Sequence, residues 1–389
     1  MQLHAGQYAF TTIADSNDPQ FSSFEYNGTP AVNNNGTVAF GATLVGGASG
    51  IFAGDGGALT TLVDTSGPFA EFYFEDVAIN SSGTVAFRAR LDSGEEGVFT
   101  VNDGTVTTIA DSTGILLDFQ GVSINEEGAV AFFCGGNDEV HDDHFNGVYV
   151  GQGGPLTTIV ESHYSPFPPE EDEIYPLPYG PSINNHGDVA FFASTDDGNG
   201  IFVGNGDSLA QVVQEEGDWR RIRYFARCPI NDAGMVAFVA DGTSYGTRGV
   251  FRYADGAVTK IVDYNDVDPD DFGPHMHDFT DVMINNAGTV AFGGLWNANP
   301  AWMGIFTGAD PEADKVVGVG DTVDGVVIST TQFWSRGFNV RGQVAFFAET
   351  ESGPGIYLAT PVPEPAASLL VVLGAGLLAW RRRAVRCSV

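Results

Sequence analysis

The sequence predicts an all-β fold, a seven-bladed β-propeller, from three observations. The phrase N-x-x-G-x-V-A-F occurs seven times, and each copy is followed by a second phrase of the type G-[IV]-[FY]. Short runs rich in Val, Ile, Phe and Thr, separated by Gly, Asn and Asp, dominate the chain before residue 365 and are typical of β-strands. The seven repeats begin at Asn33, Asn80, Asn125, Asn184, Asn231, Asn285 and Asn339.

Each repeat contains four short candidate strands, which we name a, b, c and d in chain order. Strand a is the apolar run before the Asn, as in "FYFEDVAI" at 72–79, and strand b begins at V-A-F. Strand c contains G-[IV]-[FY], and strand d follows it, as in "TTIADS" at 107–112. Four strands in a repeat of about 40 to 50 residues are the signature of a propeller blade.

The two ends of the repeat region predict how the ring closes. The last repeat ends at "GIYLATP", 355–361, without a d strand, whereas the chain begins with an unpaired d phrase, "TTIADS" at 11–16. Pairing these two segments would remove two exposed sheet edges. We therefore expect residues 1–360 to form one closed propeller whose N-terminal strand completes the last blade.

The repeated phrase itself has a structural interpretation. Val and Phe of V-A-F point to one face of a strand and Ala to the other, so a large residue on one blade can lie over a small one on its neighbour. Asn at the first position of a turn bonds its own backbone, and Gly three residues later supplies the left-handed conformation. We interpret N-x-x-G as the turn between strands a and b, not as a ligand site.

Composition and charge restrict the function. A chain of 389 residues with 43% hydrophobic and 12% aromatic residues can bury a large core. The net charge of −34 disfavours nucleic acid and anionic membrane surfaces as partners. The three cysteines, Cys134, Cys228 and Cys387, do not form a recognisable disulfide framework.

After residue 360 the composition changes. Residues 361–365, "PVPEP", form a proline-rich spacer, 366–380 are apolar, and 381–389 begin with three arginines. As a helix the apolar segment is about 22 Å long, which is shorter than a hydrocarbon core of ~30 Å, but flanking Trp and Arg side chains can extend it. We expect a transmembrane helix with the basic tail in the cytoplasm and the propeller outside. The alternative is a buried core helix.

This tail resembles the PEP-CTERM sorting signal of Gram-negative bacteria that carry an exosortase. The residues that match are Pro363, Glu364, Pro365, Arg381, Arg382 and Arg383. The resemblance implies an exosortase as partner, export, and a membrane-anchored, cell-surface or extracellular location. The repeats resemble tandem N-x-x-G-x-V-A-F proteins that carry interchangeable C-terminal anchors, a resemblance that implies no defined activity. Because "MQLHAGQYAF" has no signal peptide, we expect the natural start to lie upstream.

The variable loops predict where a ligand binds. The a–b and c–d turns are uniform or short, whereas the b–c loops and d–a connectors vary, so we expect the binding face on their side of the propeller. In the third repeat, "CGGNDEVHDDHFNG" at 134–147 offers His141 and His144 as candidate transition-metal ligands. The segment lacks the H-E-x-x-H arrangement, and an exposed polar loop is the alternative.

The connector before the sixth blade is a candidate calcium site. Asp266, Asp268 and Asp270 alternate as in a calcium-binding loop, so Ca²⁺ is the candidate cofactor. Asp271 replaces the Gly of such loops, and His277 stands where a bidentate Glu is usual. In an extended segment, His275 and His277 would share one side and permit a metal.

The only basic cluster of the repeat region is "DWRRIRYFAR" at 218–227. Arg221, Arg223 and Arg227 are candidates to bind a carboxylate or sulfate of an acidic glycan; the alternative is salt bridges with surrounding acids. Because the sequence contains no G-x-S-x-G, Walker or dinucleotide motif, we expect a non-catalytic binding or matrix module for polysaccharide or a surface protein. The alternative is a propeller hydrolase or lyase that acts on extracellular polysaccharide.

Overall fold

The fold consists of seven antiparallel sheets arranged as the blades of a propeller. The computed structural model describes residues 8–24, 30–138, 143–164, 174–177, 180–195, 198–215, 219–222, 227–242, 248–267, 277–296, 304–310, 312–332 and 336–362. Within these ranges the inward-to-outward order of strands in every sheet is a, b, c, d, as the repeats predict.

The strands of the first three blades, with the strand that closes the ring, are β1 (Tyr8–Asp15), β2 (Phe21–Phe24), β3 (Ala31–Val32), β4 (Val38–Leu44), β5 (Ser49–Gly54), β6 (Thr60–Asp64), β7 (Phe69–Ile79), β8 (Val85–Leu91), β9 (Glu96–Asn102), β10 (Thr105–Asp111), β11 (Leu116–Ile124), β12 (Val130–Asp138), β13 (Asp143–Gly151) and β14 (Thr157–Tyr164). Blade 1 consists of β2 to β6, blade 2 of β7 to β10 and blade 3 of β11 to β14.

The elements of the other four blades are β15 (Tyr175–Pro176), β16 (Ser182–Ile183), β17 (Val189–Thr195), β18 (Gly198–Gly204), β19 (Leu209–Gln214), β20 (Trp219–Ile222), β21 (Val236–Gly242), β22 (Gly249–Ala254), β23 (Ala257–Asp263), α1 (Tyr264–Val267), β24 (His277–Ile284), β25 (Val290–Trp296), β26 (Gly304–Phe306), β27 (Lys315–Gly318), β28 (Thr322–Val323), β29 (Val326–Gln332), β30 (Val344–Thr350) and β31 (Gly353–Pro361). Blade 4 consists of β15 to β19, blade 5 of β20 to β23, blade 6 of β24 to β27, and blade 7 of β28 to β31 with β1.

The N-terminal strand closes the ring. β1 pairs antiparallel with β31 along its whole length, with Phe10 opposite Ala359 and Thr12 opposite Tyr357. The Ser16 hydroxyl extends the contact by donating to the Ser352 carbonyl at 3.0 Å. The predicted closure by "TTIADS" is confirmed, and the pairing removes the exposed edges of both segments.

One hydrophobic cluster fills each of the seven interfaces between neighbouring blades. Between blades 1 and 2, Ala39 packs with Val85 and Phe87; between blades 7 and 1, Ala345 packs with Val38 and Phe40. The V-A-F alanines of all seven repeats are fully buried. The predicted alternation is therefore confirmed, because a small residue on one face leaves room for the Val and Phe of the next blade.

The glycine of G-[IV]-[FY] is required by close backbone approach. A register shift in the c–d pairing of blade 5 brings the d strand toward β22, where a Cβ on Gly249 would lie 2.2 Å from the Val262 carbonyl oxygen. Only glycine fits there without a shift of one strand.

The C-terminal predictions concern residues that the structure does not describe. The sorting motif Pro363–Pro365, the apolar segment 366–380 and Arg381, Arg382 and Arg383 lie outside the described residues. Within the described ranges, no helix has the length and apolar composition that crossing a membrane requires.

Candidate functional site: the central channel

The a–b turns surround one end of the channel, and their geometry follows the sequence prediction. In blade 2 the Gly83 N–H donates to the Asn80 carbonyl at 3.0 Å, and Gly83 has φ +82°. The Asn80 Oδ1 accepts the N–H groups of Ser82 at 3.2 Å and Thr84 at 3.0 Å. The same backbone bond and positive φ occur in all seven turns. N-x-x-G is therefore a turn stabilised by its own asparagine.

The asparagines also join the blades, which the sequence analysis missed. We call Asn33, Asn80, Asn125, Asn184, Asn231, Asn285 and Asn339 the asparagine ring; all are at most 7% exposed. The Nδ2 group of one member donates to the backbone carbonyl of the next member, for example from Asn231 to Asn285 at 2.9 Å. The bond from Asn339 to Asn33, at 2.8 Å, continues the ring across the chain ends. Four further bonds of this kind have Asn33, Asn80, Asn125 and Asn184 as donors.

The next residue of each turn forms a second, more exposed layer. We call Asn34, Ser81, Glu126, Asn185, Asp232, Asn286 and Val340 the outer ring. The Asn185 N–H donates to the Asp232 carboxylate at 2.9 Å, and the Asp232 N–H donates to the Asn286 Oδ1 at 3.1 Å. The polar side chains of the outer ring therefore repeat the blade-to-blade bonding one layer further out.

A cavity of about 160 Å³ lies at this end of the channel. It is lined by the asparagine ring, by the outer ring except Ser81, and by the apolar residues that precede each ring asparagine: Val32, Ile79, Ile124, Ile183, Ile230, Ile284 and Phe338. The cavity is thus on the side of the a–b turns, opposite the variable loops in which the sequence analysis placed the binding face. The polar contacts among its lining residues are largely structural bonds between blades.

Deeper in the channel, charged side chains from four blades converge. Asp76, Arg227 and Asp281 each stand four residues before a ring asparagine, and Arg336 stands three residues before Asn339. With Arg88 of β8 these residues form what we call the channel cluster. The register of β7 and of β24 shifts at Asp76 and at Asp281. Such bulges re-aim side chains, here toward the axis.

Asp76 is the centre of the channel cluster, and its side chain is 3% exposed. Its carboxylate accepts from Arg227 Nη2 at 3.0 Å and from the N–H groups of Gly121 and Val122 at 3.1 and 3.2 Å. Burial by itself raises the pKa of Asp76, but the charges of Arg227, Arg336 and Arg88 outweigh it, so the pKa lies below its usual value. Asp76 is therefore an ionised acid, hydrogen-bonded to the backbone of blade 3 and ion-paired to blade 5.

The two channel arginines are only partly paired. Arg336 Nη1 donates to the Val77 carbonyl at 3.2 Å, whereas its Nη2 is 3.9 Å from the Asp76 carboxylate. Arg336 Nη2 and Arg227 Nη1 are buried and have no hydrogen-bond acceptor among the described residues. Burial lowers the pKa of Arg336, and the positive charge of Arg227 lowers it further. Both guanidinium groups thus keep unused donors inside the channel.

The pKa of Asp281 is shifted in the opposite direction from that of Asp76, although both residues occupy the same position of their repeats. Burial raises the pKa of Asp281 to about 7, and Arg227 only partly opposes this effect. At neutral pH Asp281 is therefore close to half protonated. It is the group in the described part of the channel whose proton equilibrium lies nearest neutrality.

Two glycines allow a close backbone approach beside the cluster. A Cβ on Gly121 would lie 2.1 Å from the Gly180 Cα, and a Cβ on Gly180 would lie 2.6 Å from Arg227 Nη1. Blades 3 and 4 therefore approach each other here without side chains, and the Arg227 guanidinium lies against the Gly180 backbone.

We expect Asp281→Asn to change the pH dependence of stability. The pKa of Asp281 is about 7 in the folded protein, against an ordinary 3.8, so the folded state loses stability at this site as the pH rises from about 4 through 7. Asparagine does not titrate, so the stability of the variant relative to the wild type should increase over this range by on the order of 2–4 kcal/mol. Urea unfolding near pH 4, 6 and 8 measures the difference. A difference that stays constant with pH would contradict the raised pKa.

The arginines predicted from the sequence have separate positions. Arg227 lies in the channel and pairs with Asp76, which is the salt-bridge alternative. Arg221 is exposed on β20, and Arg223 lies outside the described residues. The three residues therefore do not form one described site.

The predicted metal ligands fall mainly outside the described residues, namely His141, Asp268, Asp270 and His275, with the side chain of His277. His144 is exposed on β13, and Asp266 accepts from Lys260 Nζ at 3.1 Å. In the part of the chain that the structure describes, no three His, Cys, Asp or Glu side chains are grouped to hold a metal ion. The Ca²⁺ and transition-metal sites stay predictions.

Sequence reasoning missed Asp76, Asp281 and Arg336. A usable signal exists, because aligning the repeats on their asparagines places Asp76, Arg227 and Asp281 in one column. Gly121 and Gly180 occupy the same column in blades 3 and 4. Charged and small residues at one position of the innermost strand indicate a position that faces the axis.

Comparisons with known proteins agree with the fold. Residues 60–358 match the model of DUF7453, described as a family of unknown function, and the chain belongs to this family. A search of curated proteins finds no match. Among solved structures, an oligogalacturonate lyase from Vibrio parahaemolyticus is similar with a TM-score of 0.54 and 13% identity, over 92% of this chain and 99% of the lyase. An acylaminoacyl peptidase from Pyrococcus horikoshii is similar with a TM-score of 0.52 and 12% identity, over 91% of this chain but only 55% of the peptidase.

Proposed function

We propose that this member of DUF7453 is an exported cell-surface or matrix propeller that acts as a non-catalytic binding module. The observation that carries the non-catalytic assignment is that polar groups in the channel are bonded within the protein. Asp76 has both carboxylate oxygens bonded within the protein, and the asparagine ring holds neighbouring blades together. Groups committed to structure in this way are not free to perform acid–base chemistry.

The proposed partner is an extracellular polysaccharide or a surface protein that contacts the variable b–c loops and d–a connectors. Variable loops on a rigid scaffold are where binding residues concentrate. The acidic composition, with a net charge of −34, favours solubility outside the cell and disfavours nucleic acid.

Export and anchoring rest on the tail. Pro363, Glu364 and Pro365 precede an apolar segment and the arginine block, in the order of an exosortase signal. We propose that an exosortase cleaves near this motif and releases or re-anchors the propeller at the surface of a Gram-negative cell. Before cleavage the segment 366–380 holds the chain in the membrane as a helix.

The second candidate is a hydrolase or lyase for extracellular polysaccharide, and Asp281 is the observation that favours it. A carboxyl group with a pKa of about 7 beside Arg227 has a proton affinity suited to general acid or base catalysis near neutrality. The relatives of known fold include a lyase named for oligogalacturonate, which makes this glycan a suitable first substrate to assay.

The sorting proposal is tested by fractionating an exosortase-bearing host and its exosortase deletion strain. We expect the wild-type chain, expressed behind a secretion peptide, to become shorter and leave the inner membrane only in the exosortase-bearing host. Glu364→Ala should leave most of the chain full-length and membrane-bound, whereas the matched change Glu351→Ala in the exposed turn of blade 7 should be processed normally. Equal size and equal membrane retention in both strains would refute processing.

The binding role is tested on the same purified chain with a glycan array and turnover assays. Retention of a defined glycan without product formation supports the proposal. Specific turnover that Asp281→Asn abolishes would replace it with the enzymatic candidate.

A further inference from the structure

The channel cluster contains more hydrogen-bond donors than acceptors. Arg227 Nη1 and Arg336 Nη2 are buried, and neither has an acceptor among the described residues. The side chains of Arg227 and Arg336 are only 19% and 11% exposed. Burying a charged donor without an acceptor is costly. Two such atoms in one cluster therefore point to an acceptor that is not part of the protein.

The charges of the cluster lead to the same conclusion. Arg88 is neutralised by Glu96, with Nε and Oε1 at 2.7 Å. This leaves Arg227 and Arg336 opposite Asp76, which is ionised, and Asp281, whose pKa is about 7. When Asp281 is protonated, the two arginines face one negative charge and the cluster lacks a second. The missing partner is therefore a singly charged anion.

The geometry favours a small, flat anionic group. Arg227 and Arg336 both approach Asp76 and the backbone of β7, since each donates to the Glu75 carbonyl, at 3.3 and 3.4 Å. Their unused nitrogens belong to two planar guanidinium forks, which suit the two oxygens of a carboxylate. A carboxylate matches the charge and flatness better than sulfate, which is tetrahedral and doubly charged.

We propose that Arg227 Nη1 and Arg336 Nη2 bind the carboxylate group of a small organic anion on the propeller axis. A simple organic acid and a uronate sugar carry the same group, and the experiment distinguishes these two sources. This site lies in the channel and not on the variable loops proposed to contact a polysaccharide or surface protein, so the inference goes beyond the proposed function and does not rest on it. Sorting by the tail is measured by cell fractionation, so the two proposals fail independently.

The test is isothermal titration calorimetry on the purified full-length chain at pH 6, with acetate, galacturonate, galactose and sulfate as probes. We expect one acetate or one galacturonate to bind per chain, with no heat from galactose and at least tenfold weaker binding of sulfate. Equal affinities of acetate and galacturonate would assign recognition to the carboxylate alone. Tighter binding of galacturonate would show that the sugar is recognised as well. Both results support the site.

Variants connect binding to the named atoms. Arg227→Lys and Arg336→Lys keep the charge but lose the guanidinium fork, so each should weaken binding at least tenfold. The matched control Arg90→Lys changes an arginine that pairs with Glu71 in the exposed part of blade 2, and its affinity should stay within twofold of the wild type. Circular dichroism and thermal melting confirm that each variant is folded. Each folded protein is also melted with galacturonate, which should raise the Tm of the wild type and of Arg90→Lys only.

The pH dependence provides a second readout. Arg227 is the charged group that acts on Asp281, and Arg227 in turn pairs with Asp76, which Arg336 and Arg88 also approach. As Asp281 ionises near pH 7 it supplies the missing negative charge itself, so affinity for the anion should fall at least fivefold from pH 6 to pH 8. Asp281→Asn should remove this fall. Absence of wild-type binding to both acetate and galacturonate, or wild-type affinity in folded Arg227→Lys and Arg336→Lys, would overturn the proposal and leave the cluster as a structural plug.

Discussion

Asp76→Asn is expected to lower the free energy of unfolding by about 3–5 kcal/mol, the usual cost of leaving one member of a buried ion pair alone. The substitution keeps the shape of the side chain but removes the charge that faces Arg227, Arg336 and Arg88. It also weakens the acceptors of the Gly121 and Val122 N–H groups. Chemical denaturation monitored by circular dichroism measures the effect.

Glu71→Gln is the matched control for this prediction. Glu71 lies on the same strand, β7, and pairs with Arg90 at 2.7 Å, but both side chains are more than 40% exposed. Surface pairs contribute about 1 kcal/mol or less, so Glu71→Gln should have little effect. The double variant Asp76→Asn/Arg227→Met should recover part of the loss, because it removes one of the unpaired charges. An Asp76→Asn protein within 1 kcal/mol of the wild type would show that Asp76 does not hold the channel together.

Asn231→Ala is expected to have the second large effect. It should lower the free energy of unfolding by about 3 kcal/mol, because it removes three hydrogen bonds that contribute roughly 1 kcal/mol each. The Asn231 Oδ1 accepts from the N–H groups of Ala233 and Met235 at 3.0 and 2.9 Å. Its Nδ2 donates to the Asn285 carbonyl at 2.9 Å. The bond to Asn285 is buried and the two turn bonds are partly buried, so water replaces the bond between the blades poorly. Urea unfolding of the full chain measures the loss.

Asn231→Asp separates the two roles of this side chain. A carboxylate keeps the acceptor for the turn but cannot donate to the Asn285 carbonyl, so we expect a loss of about 1–2 kcal/mol at neutral pH. Asn286→Ala in the exposed outer ring is the control and should cost less than 1 kcal/mol, because Asn286 is accessible to water. Wild-type stability of Asn231→Asp would mean that the bond between blades contributes nothing.

The predictions about the fold are confirmed where the sequence signal is local or is repeated in every blade. Asn80 and Gly83 form their turn by themselves, because an amide side chain and a residue able to adopt positive φ are sufficient for it. The alternation of Val85, Ala86 and Phe87 places large and small residues on opposite faces of one strand. The d phrase at 11–16 has no repeat of its own, and the last repeat has no d strand, so the sequence predicts that the two pair.

The candidate site was predictable only in part. Arg227 was selected because it lies in a basic cluster, but its partner Asp76 is 151 residues away in the chain. Within one repeat, nothing distinguishes Asp76 from the other acids of a sequence that contains 50 Asp and Glu residues, and only the alignment of several repeats singles out its position. The asparagine of each turn was assigned its local role correctly, but its bond to the next blade depends on the spacing of strands around the axis.

The sequence by itself determined the number of blades, the turns, the alternating faces and the closing strand, because each depends on neighbours within one repeat or on the repeat count. The tertiary structure decided which side chains meet in the channel and how their charges balance. Seven innermost strands converge on one axis, so the same repeat position from distant blades comes within hydrogen-bonding distance. Burial there raises the pKa of both carboxyl groups. At Asp76 the charges of three arginines outweigh burial and the pKa falls below its usual value, whereas at Asp281 Arg227 and a backbone hydrogen bond only partly oppose burial and the pKa stays raised.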